Sequence, residues 1–221
     1  MQLVRGSNLY DRLVRQQGEL TEATAAKLMR DMMAALRYLH SMLVVHRDIK
    51  PSNLMFASDD PDSSGYLKLV LCDFGLAHQL SSASERLTTY CGTPGYMAPE
   101  VLTRDYSKEV DLWAVGVSFF SLLCGYAPFE HTKDSSVQDR IRSMHAPLHF
   151  DPQFWGTISE ECKDLLRKLL DPDPCSRASA AAAVSCVLVF VCVRACVRVR
   201  VRCCRQSVPM IHQMYAWHAI S

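Results

Sequence analysis

The run Ser107–Cys124, SKEVDLWAVGVSFFSLLC, constrains the fold of this chain more than any other. Read at 3.6 residues per turn it is apolar nearly all round. A helix formed here has no face to offer water, so it must lie in the middle of a domain under the cover of other elements. The chain supplies that cover. Residues 19–43 place Ala26, Met29, Met33, Leu36 and Leu39 in a helical rhythm opened by Thr21 as N-cap, and two further amphipathic helices are expected near Ser135–Ser143 and Ser159–Leu170. Two short apolar runs, Leu54–Phe56 and Tyr66–Cys72, flank a polar stretch from Ala57 to Gly65 and read as a β-hairpin. The expected fold is mainly α with a small β-hairpin. A length of 221 residues allows one sizeable core or a domain plus an appendage.

Charge divides the chain in two. Residues 1–177 hold 19 basic and 23 acidic side chains, whereas 178–221 hold five arginines and no acid. From Val191 to Arg202 every odd position is Val or Ala and every even one Cys or Arg, the pattern that alternating guanine/pyrimidine repeat DNA encodes. Residues 178–221 are therefore expected to be a low-complexity tail outside the fold. The 16 mainly small or apolar residues of 178–193 fall short of the about 20 that span a bilayer, and the arginines have no interleaved aromatics to stack nucleic acid bases. Neither a membrane nor a nucleic acid is an expected partner. The five cysteines before residue 178 are scattered without metal-ligand spacing, and no signal peptide opens the chain, so reduced thiols in a cytoplasmic, soluble protein are expected.

The stretch VVHRDIKPSNLMF, Val44–Phe56, packs an acid, a base, an amide and a hydroxyl into eight residues between two apolar flanks. Such density points to catalysis. Together with DFG (Asp73–Gly75), GTPGYMAPE (Gly92–Glu100) and DLWAVG (Asp111–Gly116), in that order and with fitting intervals, it resembles the eukaryotic protein kinase family. The likeness is to the Ser/Thr type and is closest to the calcium/calmodulin-dependent group. It runs over residues 1–177, from a hinge-like start to Arg177.

The resemblance implies a C-terminal kinase lobe, ATP and Mg²⁺ as cofactors, and a protein substrate with a Ser or Thr acceptor. Phosphoryl transfer asks mainly for positioning and charge neutralisation, with a carboxylate to accept the hydroxyl proton. Asp48 takes that role by resemblance, Lys50 meets the transferring phosphoryl, and Thr93 links the two. Asn53 and Asp73 offer hard oxygen ligands to Mg²⁺. Leu3 and Val4 lie in the hinge that borders the adenine, and Met55 packs beneath it. Arg47 would meet a phosphate placed on Thr89 or its neighbour Thr88 by an upstream kinase. His46, Phe74, Glu100, Asp111 and Arg177 are structural: Glu100 and Arg177 as a buried ion pair, Asp111 as acceptor for the backbone around His46 and Arg47. Relatives that select an arginine three residues before the acceptor read it with two acids, and this chain has Asn8 and Ser52 at those positions. No G-x-G-x-x-G occurs in the sequence, and the phosphate-covering loop, the strand lysine and its glutamate would precede the hinge. The N-terminal lobe is thus expected to be missing and the chain inactive alone. The alternative is a non-catalytic, kinase-like binding or scaffold module.

Overall fold

The computed structural model describes residues 4, 6–15, 19–129, 135–184 and 200–202. The expected central helix is α4, Glu109–Cys124. Every residue in it except Glu109 and Leu122 is buried, as its all-round apolar sequence requires. Gly125 ends it in the left-handed conformation, φ 83°, and donates its N–H to the Ser121 carbonyl at 2.8 Å. The cover comes from α2, Glu22–Ser41, and from α7, Glu160–Leu169. Thr21 caps α2 by accepting the Thr24 N–H at 3.1 Å, and Ala26, Met29, Met33 and Leu36 form its buried stripe. Gly116 marks the closest approach to α7, because a Cβ there would lie 2.9 Å from the Leu170 side chain.

Four shorter helices complete the set: α1 Leu9–Arg15, α3 Pro99–Leu102, α5 Val137–Met144 and α6 Pro152–Trp155. The side chains of Ser136 and Ser159 cap α5 and α7. An aromatic cluster fills the end of the core beyond α4, with Phe120 and Phe150 each 4.7 Å from Trp155, whose Nε1 donates to the Tyr126 hydroxyl at 2.9 Å.

The strands are short and all paired antiparallel in twos. The pairs are β1 Glu19–Thr21 with β6 Arg200–Arg202, β2 Val44–Val45 with β5 His78–Gln79, and β3 Leu54–Phe56 with β4 Leu69–Leu71. The expected hairpin is β3–β4, in the register Leu54 to Leu71, and it packs on α2. Its second strand is three residues long, not seven, since Tyr66 and Lys68 are taken up in turns, their N–H groups donating to the Ser63 carbonyl at 3.0 Å and the Gly65 carbonyl at 3.1 Å. Residues 180–184 are helical, and Ala180 and Ala183 lie in the core, because small apolar side chains fit where the chain returns to it. Three residues of the expected tail, 200–202, add a strand to β1. The rest of that tail, 185–199 and 203–221, lies outside the described residues, as does Leu3.

Candidate active site

β2 delivers the chain into the segment His46–Asn53, and the 3₁₀ turn Pro51–Asn53 leads out of it into β3. This segment is held from below by Asp111 on the first turn of α4, which is 1% exposed. Its Oδ2 accepts the His46 N–H at 3.0 Å and faces His40 Nε2 at 2.9 Å, and its Oδ1 accepts the Arg47 N–H at 2.9 Å. Arg47 sits at φ 68°, a left-handed conformation that costs a non-glycine residue about 1–3 kcal/mol, so the Asp111 bonds fix a strained turn. Gly92, at φ 102°, lets GTPGYMAPE pass over that turn: a Cβ there would meet the Arg47 carbonyl oxygen at 2.6 Å.

Asp48, Lys50 and Thr93 close a buried triangle. The Thr93 hydroxyl donates to Asp48 Oδ1 at 2.7 Å and accepts from Lys50 Nζ at 2.9 Å, and Lys50 Nζ lies 2.9 Å from Asp48 Oδ2. Asn53 Nδ2 donates to the Asp48 carbonyl at 2.8 Å and to Oδ2 at 3.2 Å. Burial by itself pushes the Asp48 carboxyl up. The bonds from Thr93 and Lys50, the Lys50 charge and the Asn53 bond outweigh it and hold the group below its ordinary value. A carboxylate offers about four lone-pair sites. The side-chain partners occupy three, which leaves one for a further donor.

Asp73 follows β4, exposed and at φ 62°. The Cys72 N–H donates to the Asn53 carbonyl at 2.9 Å, which sets the two sequence-distant segments side by side. With its amide nitrogen turned to Asp48, Asn53 keeps Oδ1 for another partner. One amide oxygen and one exposed carboxylate make a donor set that fits a hard cation keeping most of its waters. Among the described residues no cluster of three or more His, Cys, Asp or Glu offers a different metal centre. His46 spans the same seam. Its Nδ1 accepts the Asp48 N–H at 3.3 Å, which leaves Nε2 to donate to the Cys72 carbonyl at 3.1 Å, and its ring meets Phe74 edge-on at 4.9 Å.

Met55, on β3, is half-buried and bridges to Asn8, and the Phe56 N–H donates to the Ser7 carbonyl at 2.9 Å. The segment after the half-buried Val4 is thereby laid along β3. Thr88 and Thr89 are both exposed. The Tyr106 hydroxyl donates to the Thr89 carbonyl at 2.7 Å and accepts from Arg47 at 3.5 Å, while Arg47 Nε donates to the Leu76 carbonyl at 2.6 Å. Burial, then the Cys91 contact, pushes the Tyr106 phenol up to about 12. Arg177 forks onto Glu100 at 2.5 and 3.0 Å, donates to the Glu109 and Asp171 carbonyls, and lies 5.1 Å from the Trp113 ring.

Two contributors escaped the sequence reading. Arg12 is buried, with its guanidinium 3.4 Å from the Phe56 ring centroid and bonded to the Ser58 carbonyl and to Asp59, each at 2.6 Å. Asp59 in turn accepts from the Ser7 hydroxyl and N–H, and these bonds with Arg12 hold it at about 2. No periodicity flagged Arg12, because α1 is too short to show a pattern. His40 could have been found, since it stands four residues after Leu36 on the buried stripe of α2.

Comparison with known proteins decides the family. The family model for the protein kinase domain matches residues 1–188. The chain belongs to the protein kinase domain family. It is 44% identical over 178 residues to calcium/calmodulin-dependent protein kinase type 1B of Rattus norvegicus, covering 80% of this chain and 49% of that protein. Calcium/calmodulin-dependent protein kinase type 1 of Macrobrachium nipponense is 42% identical over 174 residues, 78% of this chain and 48% of that protein. The chain thus spans about half the length of the curated relatives it matches. Within the kinase domain family the described residues are mostly helical with few strands, as the sequence suggested.

Proposed function

We propose that this chain is the phosphoryl-transfer lobe of a serine/threonine protein kinase of the calcium/calmodulin-dependent type. The observation that carries the reading is the triangle of Asp48, Lys50 and Thr93, with Asn53 bonded to its carboxylate at 3.2 Å. Asp48 is ionised at neutral pH and has one lone-pair site open. It can orient an acceptor hydroxyl and take its proton. Lys50 is held in place by Asp48 and Thr93 and presents positive charge to the transferring phosphoryl. Asn53 and Asp73 would hold Mg²⁺, and Val4 and Met55 would border the nucleotide base. Mg²⁺ bound there would neutralise phosphate charge. The Lys50–Thr93 pairing favours a Ser or Thr acceptor. Thr89, with Thr88 beside it, is the proposed site of activating phosphorylation, since Arg47 reaches its backbone through Tyr106.

No G-x-G-x-x-G stretch occurs in the sequence, so the proposal covers positioning of the acceptor and the metal by these residues and not a phosphate-covering loop. The reduced thiols fit an intracellular setting. No helix among the described residues is long and apolar enough to cross a membrane. Titration of ATP with and without Mg²⁺ into the 221-residue chain tests the reading. Weak, Mg²⁺-dependent binding that Asp73→Ala abolishes is expected. No binding at millimolar nucleotide would favour the non-catalytic module instead.

A further inference from the structure

α2 carries a second stripe beside its buried one. Lys27, Arg30, Ala34, Arg37 and Ser41 follow each other at three- and four-residue spacing along one face, about 21 Å from end to end at 1.5 Å per residue. Each end of the stripe opens into a recess. The first, of about 370 Å³, is walled by Lys27, Arg30 and Ala34 on one side and by Leu67, Lys68 and Leu69 of the hairpin on the other. The second, of about 830 Å³, lies between Arg37 and Ser41 and the segments bearing Lys108, Leu112, Pro174 and Ala180.

The charges are lopsided. Asp31 stands 3.9 Å from Arg30. In the second recess Arg86 is paired with Asp105 and Arg177 with Glu100, and Glu109 is the one acid on the wall. Lys27, Lys68, Arg37 and Lys108 have no ion-pair partner among the described residues. Four cations without a direct ion-pair partner, against Asp31 and Glu109, thus line one face of a domain whose residues 1–177 are net acidic, with 19 basic against 23 acidic side chains.

We infer that this face docks an acidic segment of a partner protein, with apolar side chains entering the two recesses and carboxylates meeting Lys27, Lys68, Arg37 and Lys108. The occupant follows from charge and shape. Residues 178–221 contribute Ser179, Ala180 and Ala181 to the wall of the second recess and, with five arginines and no acid, carry no carboxylate to meet these cations. A flat anionic bilayer does not enter recesses walled by Ala34, Leu67 and Leu69. Neither recess is lined by Phe, Tyr or Trp, which leaves nucleic acid bases without a stacking platform. An extended acidic peptide satisfies both the cations and the apolar walls. The inference needs no nucleotide and stands apart from the phosphoryl-transfer reading.

The test is fluorescence anisotropy of a fluorescein-labelled peptide of alternating glutamate and leucine, titrated with the full 221-residue chain. Saturable binding is expected, weakened about tenfold or more by Lys27→Glu with Lys68→Glu, and likewise by Arg37→Glu with Lys108→Glu. Arg142→Glu with Lys168→Glu, on the exposed faces of α5 and α7, makes the same change in net charge and leaves binding unchanged, and circular dichroism verifies that each variant is folded. Four results would overturn the inference: no saturable binding, an equal loss in that control variant, tighter competition by oligothymidylate or phosphatidylserine vesicles, or self-association abolished by the same variants.

Discussion

Asp111→Ala removes the acceptor that fixes the turn at His46 and Arg47. The N–H of buried His46 and that of half-buried Arg47, now bonded at 3.0 and 2.9 Å, would be left without partners. Each orphaned donor costs about 1–3 kcal/mol, which puts the loss at about 2–6 kcal/mol. His40 adds less, because it borders the second recess, where water can replace the carboxylate. In a chain of this size each kcal/mol moves the melting temperature by about 2–4 °C, so a loss near about 4 kcal/mol lowers it by roughly 8–16 °C. Asp111→Asn keeps the volume and one acceptor oxygen and should lose about half as much. The assay is thermal and urea unfolding of the 221-residue chain followed by far-ultraviolet circular dichroism, with the urea slope required to stay constant. A loss below about 1 kcal/mol for Asp111→Ala would show that the turn stands without this carboxylate and refute the reasoning.

Three further outcomes are expected. Gly116→Val places branched carbons against Leu169 and Leu170, whose side chains already lie 2.9–3.0 Å from a hypothetical Cβ, and should lower stability by about 1–3 kcal/mol in the same unfolding assay. Asp59 has a folded pKa of about 2, below its unfolded value, so its contribution is full above about pH 4 and is lost as pH falls toward 2. Its exposure keeps that contribution under about 1 kcal/mol, and Asp59→Asn should flatten stability against pH in that window alone. A longer protein carrying these residues should not select arginine three residues before its acceptor: Asn8 is an amide already engaged with Asp11 at 2.8 Å, and Ser52 is a hydroxyl. A peptide-array profile with strong arginine selection there would contradict this.

The helices that carry the core were legible because their signals are redundant. α4 has no polar face, α2 pairs an apolar stripe with a Thr21 cap, and α7 opens on Ser159. The motif residues were legible for a different reason: Asp48, Asn53, Asp73, Thr93 and Asp111 lie in segments whose types and order have a known counterpart. What stayed hidden was whatever depends on partners far along the chain. β2 is two residues long and exists only because His78–Gln79 comes beside it. Arg12 is buried only because Phe56, Tyr66 and Ser58 close around it. The burial of Ala180 and Ala183 was hidden in the same way, since the alanines from Ala178 onward look like low complexity in the sequence.

The central claim is that Asp48, Lys50 and Thr93 form a phosphoryl-transfer site. Its most direct test makes a chimera in which the matched 178 residues of the rat type 1B relative are replaced by those of this chain, and measures transfer of radiolabelled phosphate to a Ser/Thr peptide. The account predicts that the chimera transfers phosphate and that Asp48→Asn slows it by about 10²–10⁴ while nucleotide binding persists. A chimera that binds Mg·ATP yet transfers nothing, or one that transfers equally well with Asp48→Asn, would contradict it.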